Sequence, residues 1–249
     1  MRILVLASLL LLACGSAQGA VRVDCDVHSD YDFALTPKSV VLTRRHGAPR
    51  TVLMRQGRLF IDDRWVAVSP ADSKRLASYE REARAAMPLA AKIGRDAATI
   101  AFTALGEVAR GFGNDPAQTA KKLEQAKGEL DRTLARTISP TRFSSAELGK
   151  GIGEAVSGVV PSLVGDIVGG ALRAALTGDT GQLARLDDLD ARIDAIVEPR
   201  ARALERNAET LCLKLQDLDR IDDALEYRHQ GRPLELLRVR AGKRATAAH

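Results

Sequence analysis

The tetrapeptide Ser69-Pro70-Ala71-Asp72 marks the point at which the sequence changes from strand patterns to helix patterns. Serine is a favoured helix cap, proline suits the first helical position, and an aspartate in the first turn faces the positive end of the helix dipole. Short β-type runs precede this tetrapeptide, and apolar residues spaced by three or four follow it. The sequence therefore predicts an α+β protein, with a small N-terminal antiparallel β-meander followed by a long antiparallel helical bundle.

The predicted β-rich head covers residues 20–68. Its short apolar runs are separated by turn residues such as Gln56-Gly57 and Asp62-Asp63, which is typical of strands joined by hairpins. The head also holds four of the nine aromatic residues of the chain, as a small sheet with one buried face requires. We expect about five strands.

The predicted helical body covers residues 69–227, in four helices that begin near residues 69, 115, 144 and 182. Ser144 and Glu147 form a capping box for the third helix, which is expected to run to about Leu176. Pro88 is expected to kink or break the first helix. Short connections between long helices favour an antiparallel bundle.

Residues 1–19 have the features of a secretory signal peptide. Met1-Arg2 is basic, and the apolar run from Ile3 to Ala13 spans only about 17 Å as a helix, too short for a transmembrane anchor. Two cleavage points are possible. Cleavage at 13/14, within a lipobox-like stretch, would make Cys14 the lipidated first residue. Cleavage at 19/20 would follow Gly19. Either predicts a periplasmic protein of a Gram-negative bacterium, soluble or anchored by lipid to the outer membrane.

The chain has three cysteines. Cys14 is either removed or lipidated, so Cys25 and Cys212 remain as an even pair in an oxidising compartment, and we expect them to form a disulfide. The alternative is two unrelated buried thiols.

Residues 149–176 are unusually rich in glycine, with small residues four apart at Gly149 and Gly153 and again at Gly165 and Gly169. Each glycine costs a helix about 1 kcal/mol relative to alanine, and close approach to another helix is the natural reason to keep it. We therefore expect a tightly packed central helix. The functional alternative is a segment that contacts a membrane surface or an apolar partner.

The basic residues of the chain are concentrated after Tyr227. Residues 228–249 are predicted to be a basic C-terminal tail, with six cations against Glu235 alone. Four of them are candidate contacts for an anionic lipid surface: Arg238, Arg240, Lys243 and Arg244. Nucleic acid is not expected as a partner, because the chain has few aromatic residues for base stacking and is predicted to be periplasmic.

We find no pattern for catalysis. The four histidines have no metal-like spacing, and the glycines after Gly149 lack the spacing of a phosphate loop. The aspartates at 187–194 and 217–223 lack the glycine and the terminal glutamate of a calcium loop, so a solvated helix face is expected. The sequence therefore predicts no catalytic, cofactor or metal residues, and no enzyme.

Several short stretches carry a resemblance to a known family. They are Cys25, Thr36-Pro37-Lys38-Ser39-Val40, Gly57-Arg58-Leu59-Phe60-Ile61-Asp62, the Tyr-x-x-Glu-x-Arg-x-x-Met-Pro pattern from Tyr79 to Pro88, the glycine-rich third helix, and Cys212. Through them nearly the whole mature chain resembles the YggN-like proteins, a family of uncharacterised periplasmic proteins from gammaproteobacteria. The resemblance implies secretion and the Cys25–Cys212 pairing, and supplies no catalytic residues. This sequence departs from the family pattern in its lipobox-like stretch and its longer basic end.

Three functional hypotheses follow. The first is a non-enzymatic binding or structural module of the cell envelope, with an envelope protein or lipid as its partner. The second is a protein that contacts lipid or membrane surfaces through the glycine-rich helix 149–176 or the basic tail. The third is an enzyme of unrecognised type.

Overall fold

The computed structural model describes residues 25–113, 115–158, 160–177 and 180–241. Its strands are β1 (Cys25–His28), β2 (Asp32–Leu35), β3 (Val40–Thr43), β4 (Thr51–Arg55), β5 (Arg58–Ile61), β6 (Arg64–Val66), β7 (Ile138–Ser139), β8 (Arg142–Ser144), β9 (Arg228–His229), β10 (Arg232–Pro233) and β11 (Arg238–Ala241). Its helices are α1 (Pro70–Phe112), α2 (Pro116–Thr137), α3 (Ser145–Ser157), α4 (Val160–Thr177) and α5 (Thr180–Asp223). The mixed α+β class is confirmed.

The main sheet has seven strands in the order β6-β5-β4-β3-β2-β8-β7, all paired antiparallel. Strands β2 to β6 follow one another as the predicted meander. Alternate residues face the core: in β3 and β4 these are Val40, Leu42, Val52 and Met54. The sequence did not predict β7 and β8, which lie between α2 and α3 and extend the sheet beyond β2.

Helix α1 begins as the sequence predicts. The hydroxyl of Ser69 accepts a hydrogen bond from the backbone N–H of Asp72 at 3.0 Å, and Pro70 occupies the first turn. The helix continues through Pro88 to Phe112, so Pro88 does not end it. Helix α1 contacts the sheet at β4 and β5 and also contacts α2, α4 and α5, so the core lies between α1 and the sheet and along α1.

The predicted third helix is two helices, so the expectation of one continuous helix to Leu176 is wrong. Ser144 does cap α3, accepting from the backbone N–H of Glu147 at 3.2 Å. Helix α3 then ends at Ser157, and α4 begins at Val160. Pro161 explains the break, because its ring lacks an N–H and would clash with the carbonyl of residue 157, four residues earlier, in a continuous helix.

The segment expected to be a basic tail from residue 228 is structured as far as Ala241. Strands β9 and β10 form a hairpin, and β11 pairs antiparallel with β1. Leu234 and Leu236 between them are buried in the core. Two leucines therefore hold this segment against the protein despite its charge. Residues 242–249, and the predicted signal peptide with Cys14, lie outside the described residues.

Candidate binding surface

A row of aliphatic side chains is exposed along α3 and α4. The row, called here the apolar row, consists of Ile152, Val156, Val160, Val164, Val168, Leu172 and Leu176, which are 39–78% exposed. Its members recur every four residues, the spacing of the ridges by which helices pack against one another. In an ordinary soluble helix such a row would face the core.

Contacts on the opposite side of the two helices hold the apolar row outward. Ala155 of α3 and Leu163 of α4 are buried. Asp166 of α4 accepts hydrogen bonds from the Thr119 hydroxyl at 2.6 Å and from the backbone N–H of Asp115 at 2.9 Å. Asp166 thus ties α4 to the first turn of α2, and the apolar row lies on the side that points away from the protein.

The four glycines predicted to mark a close helix approach stand beside the apolar row. A Cβ atom built on any of them would meet nothing within 4 Å; this glycine row consists of Gly149, Gly153, Gly165 and Gly169. The prediction of close packing within the chain is therefore wrong for all four. It holds at Gly151, where a Cβ would lie 2.4 Å from Cγ2 of Thr133 on α2.

The two helices carry few charges. They contain three acidic and two basic residues, a net charge of 2 − 3 = −1: Glu147, Lys150, Glu154, Asp166 and Arg173. Lys150 and Glu154 form an ion pair with each other at 3.9 Å, and Glu147 pairs with Arg142 at 3.2 Å. The surface is therefore aliphatic, nearly neutral, and free of aromatic side chains.

Buried carboxylates elsewhere anchor the C-terminal strands. Asp222 of α5 is 2% exposed and accepts hydrogen bonds from the backbone N–H groups of Leu236 at 2.6 Å and Leu237 at 3.1 Å. One turn earlier, Asp219 accepts from Val239 at 3.0 Å. The expectation of a solvated acidic face is therefore wrong at Asp222, which is buried, while the partly buried Asp219 also binds the backbone of the returning chain.

Asp222 has an unusual protonation equilibrium. Burial raises the pKa of its carboxyl group to about 7, the hydrogen bonds from Leu236 and Leu237 oppose this rise, and the negative charges of Asp223 and Asp219 add to it. Its Oδ1 atom is buried and has no hydrogen-bond partner. The carboxyl group of Asp222 thus anchors the returning chain, and because its pKa is raised, the free energy of unfolding that it contributes falls as the pH rises.

A second buried carboxylate, Asp72 of α1, holds the chain just after α5. It accepts hydrogen bonds from the backbone N–H groups of Glu226 at 3.0 Å and Tyr227 at 2.8 Å, and it pairs with Arg75 at 2.8 Å. Burial alone would raise the pKa of this group, but these bonds outweigh it and hold the pKa below its usual range. The helix start that decides the fold thus also holds the end of α5.

The predicted Cys25–Cys212 disulfide is present, and it joins β1 to α5 with the two Cα atoms 6.1 Å apart. Arg238 and Arg240 lie in β11, where Arg238 pairs with Glu235 and Arg240 stands opposite Asp26 of β1. Lys243, Arg244 and Cys14 lie outside the described residues. The structure thus places two of the four candidate lipid contacts, and it places them in a strand.

The described part of the chain lacks two kinds of feature. Within it, no three His, Cys, Asp or Glu side chains are grouped so that they could hold a metal ion. Among its helices, none combines the length and the apolar character needed to cross a membrane.

Comparison with known proteins identifies one relationship. A family model described as "Protein of unknown function (DUF2884)" matches residues 25–237. No curated protein and no solved structure matches the chain. The matched range begins at the first cysteine of the disulfide and ends at Leu237, so of the elements in the described residues it contains the seven-stranded sheet, α1 to α5 and the part of the returning chain that Asp222 holds.

Proposed function

The chain belongs to the DUF2884 family, and on that premise we propose that it is a non-enzymatic binding module of the cell envelope. Its partner is a protein surface that covers the apolar row of α3 and α4. The helices around α1 act as a bundle that presents this row, and the sheet closes the core beneath α1.

The observation that carries this proposal is the extent of the apolar row. Multiplying the exposed fractions of its seven residues by ordinary side-chain areas gives roughly 600 Å² of aliphatic surface, at the upper end of the largest patch on a typical monomer. Patches of this size on soluble proteins mark sites of interaction. The row runs from Ile152 on α3 to Leu176 on α4 with no charged member, and its residues follow the outer side of both helices.

The envelope location is a proposal that rests on the N-terminal sequence and the disulfide. Residues 1–19 have the pattern of a secretory signal, and a disulfide between Cys25 and Cys212 is typical of an oxidising compartment such as the periplasm. We place the protein with the YggN-like periplasmic proteins of gammaproteobacteria, either soluble or anchored through Cys14.

A lipid surface is the second candidate partner, and the apolar row is also the observation in its favour. Helices that lie on membranes are rich in Lys and Arg on their polar face and carry Trp, Phe or Leu on the other. Helices α3 and α4 have a net charge of −1 and no aromatic residue. This composition favours a protein partner over an anionic membrane.

The proposal is tested by photo-crosslinking in cells. A photoreactive amino acid replaces Val168 in the middle of the apolar row, or Leu213, an apolar residue of α5 that is 61% exposed, as the matched control. We expect a discrete protein adduct from position 168 and none from position 213. Labelling of lipid alone at position 168, or equal labelling at both positions, would contradict the proposal.

A further inference from the structure

We propose that the partner on the apolar row is a second copy of this chain, related to the first by a two-fold axis. This inference rests on the proposed function, since it names the protein that covers the row. In such a dimer the same surface of both copies meets itself, and each residue contact occurs twice. A surface that serves this purpose must be complementary to itself.

The apolar row and the glycine row together have this property. On α4 the exposed residues alternate between the two rows, so that Val164 and Val168 form a ridge and Gly165 and Gly169 form the adjacent depression. Ridges with a four-residue spacing pack into the grooves of a second helix with the same spacing, crossing at about −50°. The ridge of each copy therefore fits the glycine row of the other.

A dimer of this kind explains why α3 and α4 carry these four glycines. Each costs the helix about 1 kcal/mol relative to alanine, yet within one chain the space above Gly149, Gly153, Gly165 and Gly169 is open. Small residues four apart allow two helix backbones to approach closely. A second copy uses the space that these glycines leave, whereas a lipid surface has no use for a depression of this shape.

The size and charge of the surface also fit a second copy. A standard interface buries about 800 Å² on each partner, and the seven side chains of the apolar row alone expose roughly 600 Å² of this. The net charge of −1 on α3 and α4 produces little repulsion between identical surfaces. Lys150 and Glu154 of α3 pair with each other and lie on the side of the helix that faces Thr133 and Arg136 of α2, so no charged side chain of α3 is added to the row by them.

The test uses sedimentation equilibrium of the mature chain from ~1 to ~100 µM, a range that detects micromolar dimers. Val168→Asp places a carboxylate in the middle of the contact and should weaken the dimer by about 100-fold or more. Gly169→Leu fills the depression and should weaken it by about tenfold or more. Leu213→Lys removes an exposed apolar side chain on α5 and should leave the dimer unchanged.

Gly169→Leu separates this inference from simple apolar association. The Cβ of the new side chain meets nothing within 4 Å in its own chain, and leucine has a higher helix propensity than glycine, so we expect folding to be retained. The variant exposes more apolar surface than the wild type. If the wild type associates through lipid binding or non-specific apolar contact, Gly169→Leu should associate as strongly as the wild type or more strongly. If a ridge packs into the glycine row, Gly169→Leu should associate more weakly. Far-ultraviolet circular dichroism checks that each variant is folded.

Each outcome decides the inference. Dimers that weaken in both α4 variants and persist in Leu213→Lys support it. A wild type that is monomeric at ~100 µM, or a Gly169→Leu variant that dimerises like the wild type, overturns it. If the monomer gives a photo-adduct of another mass from position 168, the proposed function stands and only the second copy is wrong. If the monomer instead binds vesicles of phosphatidylglycerol and phosphatidylethanolamine through Val168, both are wrong.

Discussion

Replacing Asp222 by asparagine should remove a loss of stability that the wild type suffers as pH rises. In the folded protein a single oxygen of this carboxyl group, Oδ2, accepts both backbone N–H groups, from Leu236 and Leu237. Asparagine has nearly the same shape, and its carbonyl oxygen can take the place of Oδ2. The substitution therefore keeps the anchor of the C-terminal strands and removes only the ionisation.

The size and sign of the effect follow from the pKa of the group. The carboxyl releases its proton near pH 4 in the unfolded chain, but burial raises its pKa in the folded protein from 3.8 to about 7. Between these values the folded state binds more protons than the unfolded state, so the free energy of unfolding falls as pH rises. The loss amounts to about 4 kcal/mol between pH 4 and pH 8.

Urea unfolding at pH 4, 5, 6, 7 and 8, followed by the fluorescence of Trp65, measures this difference. The free energy of unfolding of Asp222→Asn relative to the wild type should increase with pH by about 4 kcal/mol and level off above pH 7. Asp223→Asn is the matched control. Asp223 is the exposed neighbour of Asp222, and its removal takes away one charge that raises the pKa of Asp222 but leaves burial, the largest cause, in place, so most of the pH dependence should persist. If the wild type and Asp222→Asn differ by a constant amount at every pH, the reasoning about the buried carboxyl is refuted.

Two further predictions concern the disulfide and a turn. Replacing both Cys25 and Cys212 by serine removes a cross-link between residues 187 apart in the sequence. The free energy of unfolding measured in urea should fall by about 5 kcal/mol, and an unchanged urea midpoint would contradict this prediction. Gly57→Ala should lower the free energy of unfolding by about 3 kcal/mol, since Gly57 has φ +73° and a Cβ would lie 2.5 Å from the carbonyl oxygen of Ser73. Gly231→Ala should lower it by about 1 kcal/mol, because Gly231 has φ +79° but open space where a Cβ would lie. Equal shifts of the thermal midpoint in the two variants would contradict the steric part of the argument.

Local patterns in the sequence predict much of the fold. The alternation in β2 to β6 and the caps at Ser69 and Ser144 each depend on residues close together in the chain, and the structure contains all of them. The pair Cys25–Cys212 is predicted because Cys14 is expected to be either removed or lipidated, which leaves two cysteines to pair. Such features require no knowledge of distant neighbours.

The missed features depend on distant partners. Strand β11 forms because β1, more than 200 residues earlier, lies beside it, and neither strand is marked by its own sequence. The burial of Asp222 is also invisible in the sequence, because its spacing matches that of an exposed helix face. Its role depends on N–H groups of the returning chain at Leu236 and Leu237.

The candidate surface was only partly predictable. The glycines from Gly149 to Gly169 identify the correct segment, but they suggested packing inside the chain. Which side of a helix faces the protein is decided by tertiary contacts such as that of Asp166 with Thr119, which no local spacing reveals. A row of aliphatic residues every four positions has the same sequence pattern whether it is buried in its own chain or in a partner.

Hydroxyl-radical footprinting of Val164, Val168 and Leu172, read by mass spectrometry, tests the central claim most directly. The three side chains are more than half exposed in the single chain. If a protein covers the apolar row, their oxidation in intact cells should be several-fold lower than in dilute purified protein, while Leu213 is oxidised similarly in both. Equal oxidation of the apolar row in cells and in dilute solution would contradict the account.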